Sequence, residues 1–379
     1  MAEEEPADHP SLPGRLTAKD AFAKAMEDYR AGRHGDAARL FEALVEAVPE
    51  HAAACENLGV ARQALGDAAG AEEAYRKAAE IDPRNASPHF NLGTLLGALL
   101  RTEEAVECYR AAVERDPGHA SALNNLGIAL CDLGRYDEAQ VAISRAIATK
   151  PDHPAAHMQL GVLRLLRGDF LAGWSSYEWR WRTRPFLGEA RRYPQPMWDG
   201  GPLEGRRILL HSEQGIGDTI QFLRYAPLVA QRGGEVVLEV PPALLPLAES
   251  LAKGPGGVAE LIARGAAPPP GIDCRAPLMS LGRLFRTTID SVPAGVPYLL
   301  APKNLPPPAL PPAAGQRRIG LVWAGNPRHR TDARRSIPPG LFARLRAISG
   351  IRFVSLQRDR PRRRLPSPAP CRSTTQRPC

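Results

Sequence analysis

Residues 57–83 read NLGVARQALGDAAGAEEAYRKAAEIDP, residues 91–117 read NLGTLLGALLRTEEAVECYRAAVERDP, and residues 125–151 read NLGIALCDLGRYDEAQVAISRAIATKP. Each copy begins 34 residues after the last, at Asn57, Asn91 and Asn125. Leu58-Gly59, Leu92-Gly93 and Leu126-Gly127 are followed at constant offsets by Ala71, Ala105 and Ala139, then by Ala78, Ala112 and Ala146, then by Pro83, Pro117 and Pro151. Two apolar stripes of helical period flank a turn at Gly66 or Gly134, and proline closes the second stripe, which predicts a helix–turn–helix unit. Small residues fall where two helices must approach closely, and Tyr75 and Tyr109 fill the space between units.

The pattern resembles the tetratricopeptide repeat family. The register extends back to Gly32, Ala37, Phe41 and Pro49 and forward to Leu160-Gly161, Gly168, Gly173 and Tyr177. Departures are few: Leu100 stands where other copies have the turn glycine, Ile143 replaces an aromatic, and the first copy has Lys24-Ala25 for Leu-Gly. The resemblance implies an α-solenoid over residues 18–185, nearly five repeats with the last one capping, whose concave face holds a protein or peptide partner. Asn57, Asn91 and Asn125 then form a column on successive first helices. Each amide offers a donor and an acceptor to the backbone of an extended peptide, and the column resembles the asparagine ladder of O-linked N-acetylglucosamine transferases. The alternative is that asparagine before Leu-Gly is a packing residue of the repeat.

Composition narrows the classes. A chain of 379 residues holds more than one domain. It has no apolar run near the roughly 18 residues that a membrane span needs. Residues 1–17 are polar, with Glu3, Glu4, Glu5 and Asp8, and are expected to be disordered. They lack the basic start and apolar run of a signal peptide, so the cytoplasm is the expected location. Cys55, Cys108, Cys131, Cys274, Cys371 and Cys379 form no Cys-x-x-Cys pair, which argues against a zinc site or disulfide scaffold. The net charge is +8, but residues 352–379 carry eight arginines against one aspartate, or +7. The rest of the chain is nearly neutral, and specific nucleic-acid binding is not expected.

Beyond the repeats, Phe170, Trp174, Tyr177 and Trp181 make one aromatic stripe at helical spacing, expected to seal the solenoid onto the next domain. Pro185, Pro194, Pro196 and Gly200-Gly201 mark a linker over 186–205. From Arg206 strands and helices alternate: Ile208–His211 as a strand, Gln214–Asp218 as a tight turn, Thr219–Gln231 as a helix, then Glu235–Val240, Val258–Ala263, Asp273–Leu278 and the apolar segment Met279–Phe285. This predicts a parallel sheet with crossover helices over 206–300. A Pro-rich linker, 301–316, precedes a second start over 317–357: a strand at Arg318–Trp323, a polar loop at Ala324–Pro338, a helix at Leu341–Ile348 and a strand at Ile351–Leu356. Residues 358–379 lack apolar periodicity and read as a disordered basic tail.

Leu209–Arg224, with Trp323–Pro327 and Arg335–Pro338, resembles glycosyltransferase family 9, whose heptosyltransferases have the two-domain GT-B fold of Rossmann-like α/β halves. Gly215-Ile216-Gly217-Asp218 lacks the third glycine of a dinucleotide fingerprint and the Gly-Lys-Ser/Thr of a Walker loop. The resemblance implies that Asp218 is the general base, with Gln214, Gly215 and Gly217 on the acceptor side and Asn326, Arg335 and Ser336 toward a nucleotide-sugar donor. The other reading of Asp218 is a helix N-cap. The implied reaction is inverting, metal-independent sugar transfer to a hydroxyl, with no cofactor. The second half is incomplete, holding one strand–helix unit and one further strand, too little to cover both faces of a parallel sheet. The abrupt change after Gln357 resembles a shifted reading frame, and sugar transfer is expected to be impaired. The competing class is a non-catalytic scaffold that binds peptide segments of partners.

Overall fold

The computed structural model describes residues 16–190, 193–252, 257–302, 315–325 and 332–357. The N-terminal segment to residue 15, the basic tail 358–379, most of the Pro-rich linker and Asn326 lie outside these residues. The chain divides into two units, Met1–Lys303 and Asn304–Cys379.

In the first unit the period of 34 becomes helix pairs: α1 (Ala18–Arg30) and α2 (His34–Ala47), α3 (Ala52–Ala64) and α4 (Ala68–Ile81), α5 (Ala86–Ala98) and α6 (Thr102–Arg115), α7 (Ala120–Asp132) and α8 (Tyr136–Thr149), α9 (Pro154–Leu166) and α10 (Phe170–Tyr177). The first helices begin with a side-chain cap. His51, Asn85, His119 and His153 each accept a backbone N–H from the first turn that follows. The pairs turn through a left-handed residue, Gly32, Gly66, Gly134 and Gly168, and Leu100 adopts the same conformation at φ 64° without the glycine that makes it easy.

Close helix approach explains the Leu-Gly landmark. A Cβ on Gly59, Gly93 or Gly127 would stand 2.6, 2.9 or 2.4 Å from Tyr75, Tyr109 or Ile143. At Gly161 it would meet backbone, 2.5 Å from Tyr177 N. Tyr75, Leu96, Leu123, Leu130, Ile143 and Leu163 are among the fully buried side chains that run the core from repeat to repeat.

The aromatic stripe does not stay on one α-helix. α10 ends at Tyr177 and the chain tightens into a 3-10 helix, Glu178–Arg182, so Trp181 leaves the line of Phe170, Trp174 and Tyr177. The helix α11 (Arg184–Ala190) follows. The stretch 186–205 does more than link. Tyr193, Trp198 and Leu203 are buried, Met197 bridges to Arg275, and the Trp198 N–H donates to Arg275 O at 2.8 Å.

The α/β part of the first unit contains β1 (Arg207–His211), α12 (Ile216–Phe222), α13 (Ala226–Ala230), β2 (Glu235–Val240), α14 (Leu245–Ala252), β3 (Glu260–Ala263), β4 (Cys274–Pro277) and α15 (Leu281–Leu284). The strands are all parallel in the order β3-β2-β1-β4. Ile208, Leu210, Val236, Leu238 and Val240 pack on Phe222, Ala226, Val229 and Ala248, while Leu209 and Val237 face Tyr193. The expected helix Thr219–Gln231 is two short ones separated by the 3-10 turn Leu223–Tyr225. Pro227 explains the break, since its ring excludes the carbonyl four residues earlier.

In the second unit β5 (Arg317–Leu321) pairs in parallel with β6 (Ile351–Ser355). A short helix, α16 (Asp332–Arg335), lies inside the expected polar loop, and the expected helix Leu341–Ile348 is a 3-10 helix, Pro339–Ala347. Pro338, Pro339 and Gly340, poor α-formers in succession, open it. Among the described residues this unit amounts to a two-stranded parallel sheet with short helices.

Candidate functional site

First helices of consecutive repeats touch one another, α3 with α5, α5 with α7 and α7 with α9, so they line one continuous face. Asn57, Asn91 and Asn125 belong to α3, α5 and α7, and each is half-buried. Their engagements differ. Asn57 Nδ2 donates to Ala53 O at 2.8 Å, Asn91 Nδ2 donates to Glu56 Oε1 at 2.9 Å, and Asn125 Oδ1 accepts from Asn124 Nδ2 at 3.2 Å. One atom of each amide is thus committed within the protein. Beside them, the Tyr75 hydroxyl donates to Gln63 Oε1 at 2.9 Å. Glu56 joins this face and was not among the residues singled out above. Burial holds its carboxyl above the ordinary range, partly offset by a hydrogen bond from Asn85. Its signal was in the 34-residue column that contains Phe22, Glu56 and Phe90.

The glycine corner follows β1. Gly215 is the N-cap of α12, and Asp218 is not the N-cap but the third helical residue, its Oδ2 accepting the Gly215 N–H at 3.1 Å. The helix starts earlier than sequence spacing implies because Gly215 is already extended, at ψ 168°, and Ile216 already helical. Asp218 remains half-exposed, and Gly215 and Gly217 are exposed. Thr219 Oγ1 donates to Gly215 O at 3.0 Å, and Gln214 Nε2 donates to the Tyr177 hydroxyl at 2.7 Å. The end of the repeat stack therefore reaches the corner directly.

Next to it lies a buried polar network. Arg180, fully buried, donates from Nη2 to Glu213 Oε1 at 3.1 Å and to Ser280 Oγ at 2.8 Å, and from Nη1 to Glu178 Oε1 at 2.6 Å. Ser280 Oγ donates to Glu178 Oε1 at 2.9 Å, and the Met279 N–H donates to Glu213 Oε1 at 3.2 Å. The guanidinium also lies over the Tyr177 and Trp181 rings, 4.9 and 4.6 Å from their centroids. Two carboxylates share one cation, and burial pushes the Glu213 carboxyl up to about 7 although Arg180 and the Met279 N–H favour its charged form. Trp174 completes the junction. Its Nε1 donates to Thr287 O at 3.0 Å, its ring meets Phe222 edge-on, and Gly282 lets it approach α15.

In the second unit, Arg335 closes α16 and Ser336 follows it, its N–H donating to Asp332 O at 2.8 Å while its buried Oγ has no partner among the described residues. Asp332 Oδ1 accepts the Gly325 N–H at 3.1 Å. The third residue of that set, Asn326, lies outside the described residues.

No cluster of His, Cys, Asp or Glu among the described residues is arranged to hold a metal ion. No described helix is long and apolar enough to cross a membrane.

Profiles of the tetratricopeptide repeat family match residues 22–86 and 101–163, so the helix pairs are tetratricopeptide repeats. Both matches end before the α/β region. The chain is 36% identical to FlbA of Caulobacter vibrioides over 64 residues, which span 16% of this chain and 10% of FlbA. Among solved structures, MamA is similar at 19% identity and a TM-score of 0.40, over 45% of this chain and 97% of MamA. YrrB, described as a TPR protein with an unusual peptide-binding site, is similar at 19% identity and a TM-score of 0.39, over 46% of this chain and 92% of YrrB.

Proposed function

We propose that these tetratricopeptide repeats hold an extended segment of a partner protein along the face lined by the first helices, with Asn57, Asn91 and Asn125 bonding its backbone. The observation that carries this reading is the recurrence of a half-buried amide at one place in three successive repeats. Each has one polar atom committed internally, which orients the amide and lowers the entropy lost on binding. The test is an array of immobilised short peptides probed with the wild type and with Asn57, Asn91 and Asn125 all changed to Ala. Three hydrogen bonds at about 0.5–1.5 kcal/mol each predict at least a tenfold loss. Unchanged binding by the folded triple variant would refute the role of the amides.

A second reading is supported by the glycine corner. Gly215–Asp218 stands at the carboxyl end of β1, where the strand order reverses between β2 on one side and β4 on the other, the usual place for a ligand in an open parallel sheet. On this reading the α/β region transfers a sugar from a nucleotide donor. The acceptor oxygen bonds to the anomeric carbon, the bond from that carbon to the diphosphate oxygen breaks, and Asp218 takes the acceptor proton. Incubation with nucleotide sugars tests it: nucleoside diphosphate release that disappears in Asp218→Asn supports transfer, and release that persists in that variant removes Asp218 from the chemistry.

A further inference from the structure

On α1 and α5 one side chain meets the residue that caps the first helix of the next repeat. In the first and third repeats this is a ring pair. Phe22 stacks on His51 with centroids 5.4 Å and planes 11° apart, and Phe90 lies 4.7 Å from His119. Both histidines are caps, their Nδ1 atoms accepting from the Ala54 and Ala122 N–H groups. In the second repeat the same two places hold Glu56 and Asn85, each 34 residues from its counterparts. Asn85 Oδ1 accepts the Ser87 N–H at 2.9 Å. Asn91 Nδ2 donates to Glu56 Oε1 at 2.9 Å. An amide therefore holds a carboxylate where the repeats on either side place an apolar ring.

The column continues as Asn124 and Met158, so Glu56 is its one charged member among Phe22, Glu56, Phe90, Asn124 and Met158. It is half-buried, and among the described residues no cation pairs with it. Withdrawing a carboxylate from water without a counter-charge is unfavourable, and the same place is filled in the neighbouring repeats by phenylalanine with no such penalty. Packing alone does not account for the glutamate. Phe22 and Phe90 are themselves only partly buried and leave apolar ring surface on either side of it.

We propose that Glu56 receives a lysine or arginine of the bound segment, with apolar residues of that segment resting on Phe22 and Phe90. The inference builds on the peptide-holding reading and names the chemistry of its partner: a basic residue between apolar ones. The Asn91 amide orients the carboxylate before the cation arrives, and a desolvated charge pair is stronger than one on an open surface.

The test is an array in which each lysine-containing short peptide is paired with a copy carrying glutamine in place of lysine. Wild type should bind the lysine members about tenfold more tightly or better, as expected of a charge-assisted contact in a partly dry groove. Glu56→Gln should abolish that preference. The double variant Glu56→Phe, Asn85→His reproduces the ring pair of the adjacent repeats, so it should keep the wild-type melting profile while binding lysine and glutamine copies alike. Glu56→Lys should turn the preference toward acidic peptides. An equal lysine preference in wild type and in the double variant would overturn the proposal. Peptide binding that ignores lysine from the start would overturn it too, leaving the peptide-holding reading intact, whereas a wild-type protein that binds no member of the array overturns both.

Discussion

Replacing Arg180 with alanine tests how the repeat stack is joined to the parallel sheet. The guanidinium is fully buried and serves Glu213, Glu178 and Ser280 together. Removing one partner of a buried ion pair costs about 3–5 kcal/mol, because the remaining charge is left without compensation. Protonation limits that loss. Glu213 already titrates at about 7, and without Arg180 it would titrate higher and escape part of the penalty by taking a proton. The loss should therefore be about 3–5 kcal/mol at pH 8 and smaller by roughly 1 kcal/mol at pH 6. Trp174, Trp179, Trp181 and Trp198 cluster at or beside this junction in sequence, so urea unfolding followed by tryptophan fluorescence reads it, while far-ultraviolet circular dichroism reads mainly the repeats. Repeat arrays need not unfold in one step, so the two midpoints are compared separately. The fluorescence midpoint should fall sharply and the dichroism midpoint less. Arg182→Ala, an exposed neighbour, should change neither by more than about 0.5 kcal/mol. A loss under about 1 kcal/mol for Arg180→Ala at pH 8 would show that the network does not hold the junction.

Wild-type stability should itself vary with pH. Because the folded pKa of Glu213 is raised, the native state binds more protons than the unfolded state between the ordinary glutamate pKa and about 7, so the stability contributed by this group falls as pH rises through that window and is level above it. The total is on the order of 3 kcal/mol, and Glu213→Gln should flatten urea midpoints measured from pH 5 to 8. Gly161→Ala should cost about 3 kcal/mol or more, since its Cβ meets the backbone at Tyr177, whereas Gly93→Ala presses on a side-chain ring rather than on backbone. Gly93→Ala should stay near 1 kcal/mol, overpacking being offset by better helix propensity, and thermal melts of the pair would contradict this if the order were reversed. Asp218→Ala removes the bond to the Gly215 N–H and should cost about 1 kcal/mol, with Asp218→Asn costing less because an acceptor oxygen remains; equal losses in urea unfolding would speak against the cap.

The repeat helices were legible because each one's main partners are its neighbours in the chain. A period of 34 residues states that the same packing problem recurs, and Gly59, Gly93 and Gly127 mark where a second helix must come close. Strand and helix alternation likewise announced a parallel sheet from residue 206. The error at Asp218 was less than one helical turn in size: aspartate suits several positions in the first turn, and only the backbone of Gly215 decided which one it took. Pro227 was visible, but its breaking of the expected helix was not drawn from it.

What sequence could not settle was which distant residues meet. Arg180 finds Ser280 across 100 residues and Trp174 finds Thr287 across 113, and neither pairing leaves a local pattern, because side chains on separate elements carry no shared period. The column containing Glu56 is intermediate. Its members were evenly spaced and readable, but whether a half-buried glutamate faced a cation or an amide depended on the geometry of adjacent repeats. By itself the sequence determined the repeats, their length and the glycines at their turns, since these follow from short-range sterics and hydrogen bonding. The tertiary structure alone decided the strand order, the seating of the last repeat on the glycine corner and the buried charges there, because desolvation and long-range contact exist only once the chain has folded.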